Sequence, residues 1–147
     1  MTIKHETITL SRTLKHAPAR VFRAFTNNAE LERWSPPEEG MNMRIHDGAP
    51  SAGARLIWSC GPGESEGVRV VSDYYHLEPD RVLVFSEAIY MQDDLLSAAL
   101  VTVTLAGEEH TTLEVRAQIA AVDHEMLGGY EHGWGRALEN LETFLGG

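Results

Sequence analysis

Glu87 is the carboxylate in this chain whose position invites chemistry. In "RVLVFSEAI" it shares strand parity with Leu83, Phe85 and Ile89 and not with Val82, Val84 and Ser86. If that bulky face points inward, Glu87 stands at the wall of an interior, where burial raises a carboxyl pKa unless a cation such as Arg12 compensates. A carboxyl tuned toward pH 6–7 serves as a general acid or base. The competing reading is an ion pair at a strand end. The acidic pairs Glu38–Glu39, Asp93–Asp94 and Glu108–Glu109 fall in turn-like segments and read as solvated.

Other reactive types offer less. His5, His16, His46, His76, His110, His124 and His132 are scattered. No His-Glu-x-x-His or cysteine pair occurs, and "DHEM" supplies no second spaced histidine, so no metal centre or other cofactor is expected. Cys60, in "WSCGPG", precedes a turn with no helix behind it. That context supports neither a nucleophile elbow nor a phosphate loop, and no catalytic residue is assigned.

The aromatics Trp34, Trp58, Tyr130 and Trp134 remain. Large aromatics more often fill a core than line a pocket. Tyr130 and Trp134 differ, because they lie one helical turn apart beside Gly129, Gly133 and Ala137, a stripe of small residues at spacing four. Each interior glycine weakens a helix by about 1 kcal/mol relative to alanine. The stripe therefore either admits another backbone closely or leaves room for something else. Pockets are mostly apolar and aromatic with few polar groups, and Tyr130 Oη and Trp134 Nε1 suit that role.

These side chains need elements to hold them. "TITLSRTL" (7–14) alternates as a half-buried strand, with Arg12 breaking the pattern on the apolar parity. "HAPARVFRAFT" reads as a short helix, with Pro18 in its first turn and Val21, Phe22 and Phe25 on one stripe. "NNAELERW" reads as a second, where Asn27 and Glu30 have capping-box spacing, and "SPPEEG" ends it. Strands follow in "MNMRI", "ARLIWSC", "VRVVSDYYHL", "RVLVFSEAI", "LLSAALVTVTL" and "TTLEVRAQI", with "DGAPSAG" as a loop. The last pair places Ala99, Val101, Val103 and Leu105, then Leu113, Val115, Ala117 and Ile119, on the inner face. A long helix starts near Asp123 as N-cap, carrying Leu127, Leu138, Leu141 and Leu145 on its apolar side. Tyr74 and Tyr75 fall on opposite faces of their strand, and which one faces inward is open.

Bulk properties bound the rest. The 147 residues suit one domain, 1–147, and 43% hydrophobic content is ordinary for a globular protein. No signal peptide or membrane span is visible, so a cytoplasmic location is expected. A single cysteine agrees with a reducing compartment. A net charge of −10 without a segregated basic patch argues against nucleic acid and anionic membranes as partners.

"HAPARVFRAFTNNAELERW", "YYHLEPDRVLVFSE", "ALVTVTL" and "EHGWGRALENLETFL", in this order, resemble the START-like (SRPBCC) superfamily, in its branch of small bacterial proteins similar to the activator of heat-shock-protein ATPase. The resemblance spans nearly the whole chain. It implies an α+β helix-grip fold: a curved antiparallel sheet of about six to seven strands around a long C-terminal helix, two short helices after the first strand, and a cavity for an apolar or amphipathic ligand. Members often carry a double Trp where this chain has Trp34 and Ser35, which implies a smaller or more polar pocket end here. The heat-shock activator itself adds a chaperone-binding domain for which 147 residues leave no room, so chaperone activation is not expected to carry over.

The leading expectation is a non-catalytic protein that binds a small hydrophobic or amphipathic molecule, lipids included, through Trp34, Trp58, Phe85, Glu87, Tyr130 and Trp134. The alternatives are a cyclase, aromatase or hydrolase using Glu87 or a pocket histidine, and an interaction module that contacts a chaperone or forms a homodimer. The last would show a filled cavity and an exposed apolar patch.

Overall fold

Alternating strands joined by tight turns can only pair with their neighbours, and a long sheet of that kind must twist and curl. The computed structural model describes residues 2–146. The chain runs β1 (Lys4–Leu14), α1 (Pro18–Thr26), α2 (Asn28–Trp34), β2 (Met41–Gly48), β3 (Arg55–Pro62) and β4 (Val68–Glu78). It continues through β5 (Val82–Met91), β6 (Asp94–Ala106), β7 (Thr111–Ala121) and α3 (His124–Phe144). The seven strands form one antiparallel sheet in the order β1-β7-β6-β5-β4-β3-β2. This is the helix-grip architecture, with the sheet curved around α3.

Strands β2 to β7 form a meander, while β1 pairs with β7 at the far edge. The chain must therefore cross from one edge of the sheet to the other between β1 and β2, and α1 and α2 make that crossing. Pro18 starts α1, and Val21, Ala24 and Phe25 are its buried stripe, with Phe22 only partly covered. Asn27 Oδ1 accepts the Glu30 amide at 3.0 Å as the N-cap of α2. The capping box stays half formed, because the Glu30 carboxylate turns to Arg20 at 2.7 Å and Arg23 at 3.0 Å on α1. Trp34 ends α2 deep in the core, donating from Nε1 to the Ala24 carbonyl at 2.9 Å and meeting the Phe25 ring edge-on at 4.8 Å.

A register shift between Ile89 and Tyr90 interrupts the pairing of β5 with β6, and two further bulges shape the sheet. One lies between Ile45 and Asp47, after which β2 runs on to Gly48 where the sequence suggested a loop. Gly48 has φ +86°, and a Cβ there would run into the Arg55 carbonyl, so glycine is required. The other lies between Tyr74 and His76 and reverses the parity of β4 at Tyr75.

The two halves of the sheet are filled differently. On the β1-β7-β6 side, Val101, Val103, Leu113, Val115 and Ala117 are fully enclosed together with Leu138 and Leu141 of α3. Asp123 Oδ1 accepts the Met126 amide at 2.9 Å, capping α3 as expected. Arg12, on the inner face of β1, points to Glu142 of α3 at 3.7 Å. It does not compensate Glu87. The other half, from β5 to β2, is less tightly filled. No described helix is long and apolar enough to cross a membrane.

Candidate functional site

Helix α3 packs against β1, β7 and α2. Over the β2–β5 half a cavity of about 180 Å³ remains between sheet and helix. Gly129, Gly133 and Ala137 all face it. A Cβ added at Gly129 would meet nothing within 4 Å, and one at Gly133 would meet only the Pro37 side chain at 3.4 Å. Close packing would have brought backbone atoms against both positions. The stripe therefore leaves space.

Trp34, Trp58, Phe85, Glu87, Tyr130 and Trp134 all line this cavity. Parity delivers Phe85 and Glu87 from β5, and helical spacing delivers Tyr130 and Trp134 from α3. Opposite Glu87 on β6 stands Ala99, whose small side chain leaves the carboxylate room. Trp34 contributes one edge while its polar atom is already satisfied in the core.

The polar centre is Glu87. Its Oε1 accepts from Tyr130 Oη at 2.6 Å and from Trp134 Nε1 at 3.0 Å, and Trp134 Nε1 also lies 3.1 Å from Tyr130 Oη. The other oxygen, Oε2, has no hydrogen-bond partner among the described residues and is not sealed in, so it opens onto the cavity. Glu87 retains some accessible area for that reason, although protein surrounds it on every side. Burial pushes its carboxyl above the usual range, against the opposing pull of the Tyr130 and Trp134 hydrogen bonds. The suggested strand-end ion pair is not formed, because Glu87 sits mid-strand and no described cation pairs with it. No described Lys, Arg or His lines the cavity.

Two further groups face the same space. Tyr74 stacks on Phe85 with ring centroids 4.9 Å apart, and burial, then the nearby Glu87, push its hydroxyl up. Cys60 is buried, and burial pushes its thiol up to about 11, the reverse of what an activated nucleophile needs. The loop after α2 closes one end. Ser35 and Pro37 line the cavity there, and Asn140 Nδ2 holds the Pro36 carbonyl at 2.8 Å.

The family model described as Activator of Hsp90 ATPase homolog 1-like protein matches residues 15–146. The chain belongs to this family. As an activator-of-Hsp90-ATPase-like protein it is similar in structure to Mll3558 from Rhizobium loti, at 28% identity and a TM-score of 0.78, covering 98% of this chain and 99% of that one. It is also similar to CV1439 from Chromobacterium violaceum, at 25% identity and a TM-score of 0.81, covering 93% and 94%. The AHSA1 protein from Silicibacter pomeroyi shares the fold, with 21% identity, a TM-score of 0.77 and coverage of 95% and 97%. No curated protein matches the sequence at a significant level.

Sequence reasoning left Tyr74 and Tyr75 as alternatives and did not place Ser72, Cys60 or Pro37 in the wall of this family member's cavity, which Tyr74 lines. For β4 the signal was the even parity of Val68, Val70, Ser72 and Tyr74. The bulge hid it, because beyond Tyr75 the inner face passes to Leu77.

Proposed function

We propose that the protein is a non-catalytic binding protein that encloses a small, mostly apolar molecule between sheet and helix. The observation that carries this reading is the cavity itself: apolar walls around one carboxyl oxygen that the protein leaves unpartnered. A mostly apolar surface with few polar groups is the usual character of a small-molecule site. Its size narrows the occupant. A cavity of about 150 Å³ accepts benzene, so 180 Å³ suits one aromatic ring or a comparably compact body. A sterol or a full acyl chain would have to protrude past the exposed Gly129. Long-chain lipids therefore do not fit wholly inside the cavity.

A ligand of about eight non-hydrogen atoms reaches micromolar affinity only if each contributes about 1 kcal/mol, which is within the ceiling for very small ligands. Screening should therefore extend to millimolar concentrations. Native mass spectrometry after gentle purification, with thermal shifts against single-ring alcohols, ketones, phenols and amines, tests the reading. Ligand at 100 times its Kd stabilises by about 2.7 kcal/mol. A shift lost in a folded Gly133→Leu protein supports the cavity as the site, and no shift from any compound rejects it.

One observation favours a second reading. A buried carboxyl with a raised pKa and a free oxygen has what a general acid needs, so an enzyme acting through Glu87 is the alternative. A pocket histidine is not its partner, since none of the described histidines lines the cavity. An interaction module would have filled this space. The exposed large apolar residues among those described are Ile3, Tyr75, Met91, Leu95 and Leu100, and of these Tyr75 and Leu100 border one hollow on the outer face of the sheet.

A further inference from the structure

The cavity has a bias of charge as well as of polarity. All three tryptophans of the chain line it, joined by Phe25, Tyr74 and Phe85. Ring faces carry negative potential and attract cations, most strongly where water is excluded. At one side stands Glu87, with both protein donors spent on Oε1 and none on Oε2. Those donors favour the ionised form, yet the counter-cation that a buried carboxylate requires is not supplied by any described residue. Arg12, the cation that strand parity suggested, is engaged with Glu142.

We propose that the molecule bound in this cavity is a compact organic ammonium, an amine carried on a single ring or similar apolar body, whose N–H groups donate to Glu87 Oε2 while the aromatic walls surround it. This rests on the reading of the cavity as a ligand site. An anionic ligand would stand beside Glu87 with no positive side chain to receive it. A neutral alcohol would fill the space and hydrogen-bond to Oε2, but it carries no charge for the ring faces or the carboxylate to attract. A cation satisfies Oε2, the ring faces and the charge together. The net charge of −10 also raises the local concentration of cations around the protein.

Titration calorimetry with 2-phenylethylamine, 2-phenylethanol and phenylacetate on the full chain separates these cases, since the three share one ring and differ in the terminal group. The amine is expected to bind at least tenfold more tightly than the alcohol, with phenylacetate weakest. Glu87→Gln should lose at least tenfold for the amine and change the alcohol by less than threefold. Independently of any variant, the Glu87 carboxyl carbon in the wild-type protein should move in its NMR spectrum toward the ionised value as the amine saturates. Equal amine and alcohol affinities, or a carboxyl resonance that the amine does not move, would overturn the ammonium assignment and leave the cavity reading intact. Binding of none of the three would overturn both.

Discussion

Tyr130 Oη lies 2.6 Å from Glu87 Oε1, joining α3 to β5 across 43 positions of sequence. This contact fixes which face of the helix looks onto the open half of the sheet. With Tyr130 on the carboxylate, Gly129 and Gly133 necessarily border the same space, and Trp134 follows one turn later as the second donor. The absent side chains and the polar centre are thus parts of one arrangement.

Glu87 should make stability depend on pH in a direction opposite to that of a salt-bridged carboxylate. Its folded pKa is raised by burial, so the native state holds a proton that the unfolded chain loses above about pH 4.3. The stability this gives is complete below the unfolded pKa and is lost as pH rises through the folded one. Glu87→Gln, which can still accept from Tyr130 and Trp134, should match the wild-type Tm near pH 4 and exceed it progressively as pH rises through the folded pKa, levelling off above it. Each kcal/mol corresponds to about 2–4 °C in a domain of this size. A Tm advantage that shrinks with pH would show that Glu87 is stabilised as the anion.

Tyr130→Phe removes the shorter hydrogen bond while keeping the ring. Because that bond lowers the Glu87 pKa, its loss should raise the value further, read from the Glu87 carboxyl carbon by NMR titration. Stability should fall by about 1 kcal/mol. An unchanged or lower Glu87 pKa would contradict the assigned role of the hydroxyl.

Gly129→Ala should stabilise. A methyl group there meets nothing within 4 Å, so the helix-propensity gain of about 1 kcal/mol is not offset by a clash. Thermal melting should rise by about 2–4 °C. Destabilisation would mean that α3 needs the bare backbone at this position.

Cys60 should label slowly. With its thiol pushed up to about 11, about one molecule in a thousand carries a thiolate at pH 8, and the side chain is buried besides. Reaction with a disulfide reagent is expected to be at least about a hundredfold slower than for an exposed thiol of pKa about 8.5, and to accelerate on unfolding. Rapid native labelling would show a cavity that opens widely.

Much of this was legible in sequence because each strand from β5 to β7 has one buried face, and burial writes itself as alternation. That pattern placed Glu87 inward, and helical spacing placed Tyr130 and Trp134 beside the small stripe. What failed was information that local pattern does not carry. Arg12 looked available to Glu87 on parity alone, but its partner is chosen by where α3 crosses the sheet. The bulge at Tyr75 changes the count of residues within one strand, so neither tyrosine could be oriented beforehand. Nor could spacing tell whether the glycines serve contact or void, since that depends on what lies opposite them.

An NMR titration of methyl-labelled protein with a single-ring ligand such as 2-phenylethanol tests whether the space between sheet and helix is a ligand site. Contacts from the ring protons to Leu56, Val70 and Ile89, all on the cavity wall, are expected, with the signals of Leu100 on the outer face unmoved. Saturable shifts confined to Leu100 and its neighbours, or no saturable shift at all, would contradict a ligand site between sheet and helix.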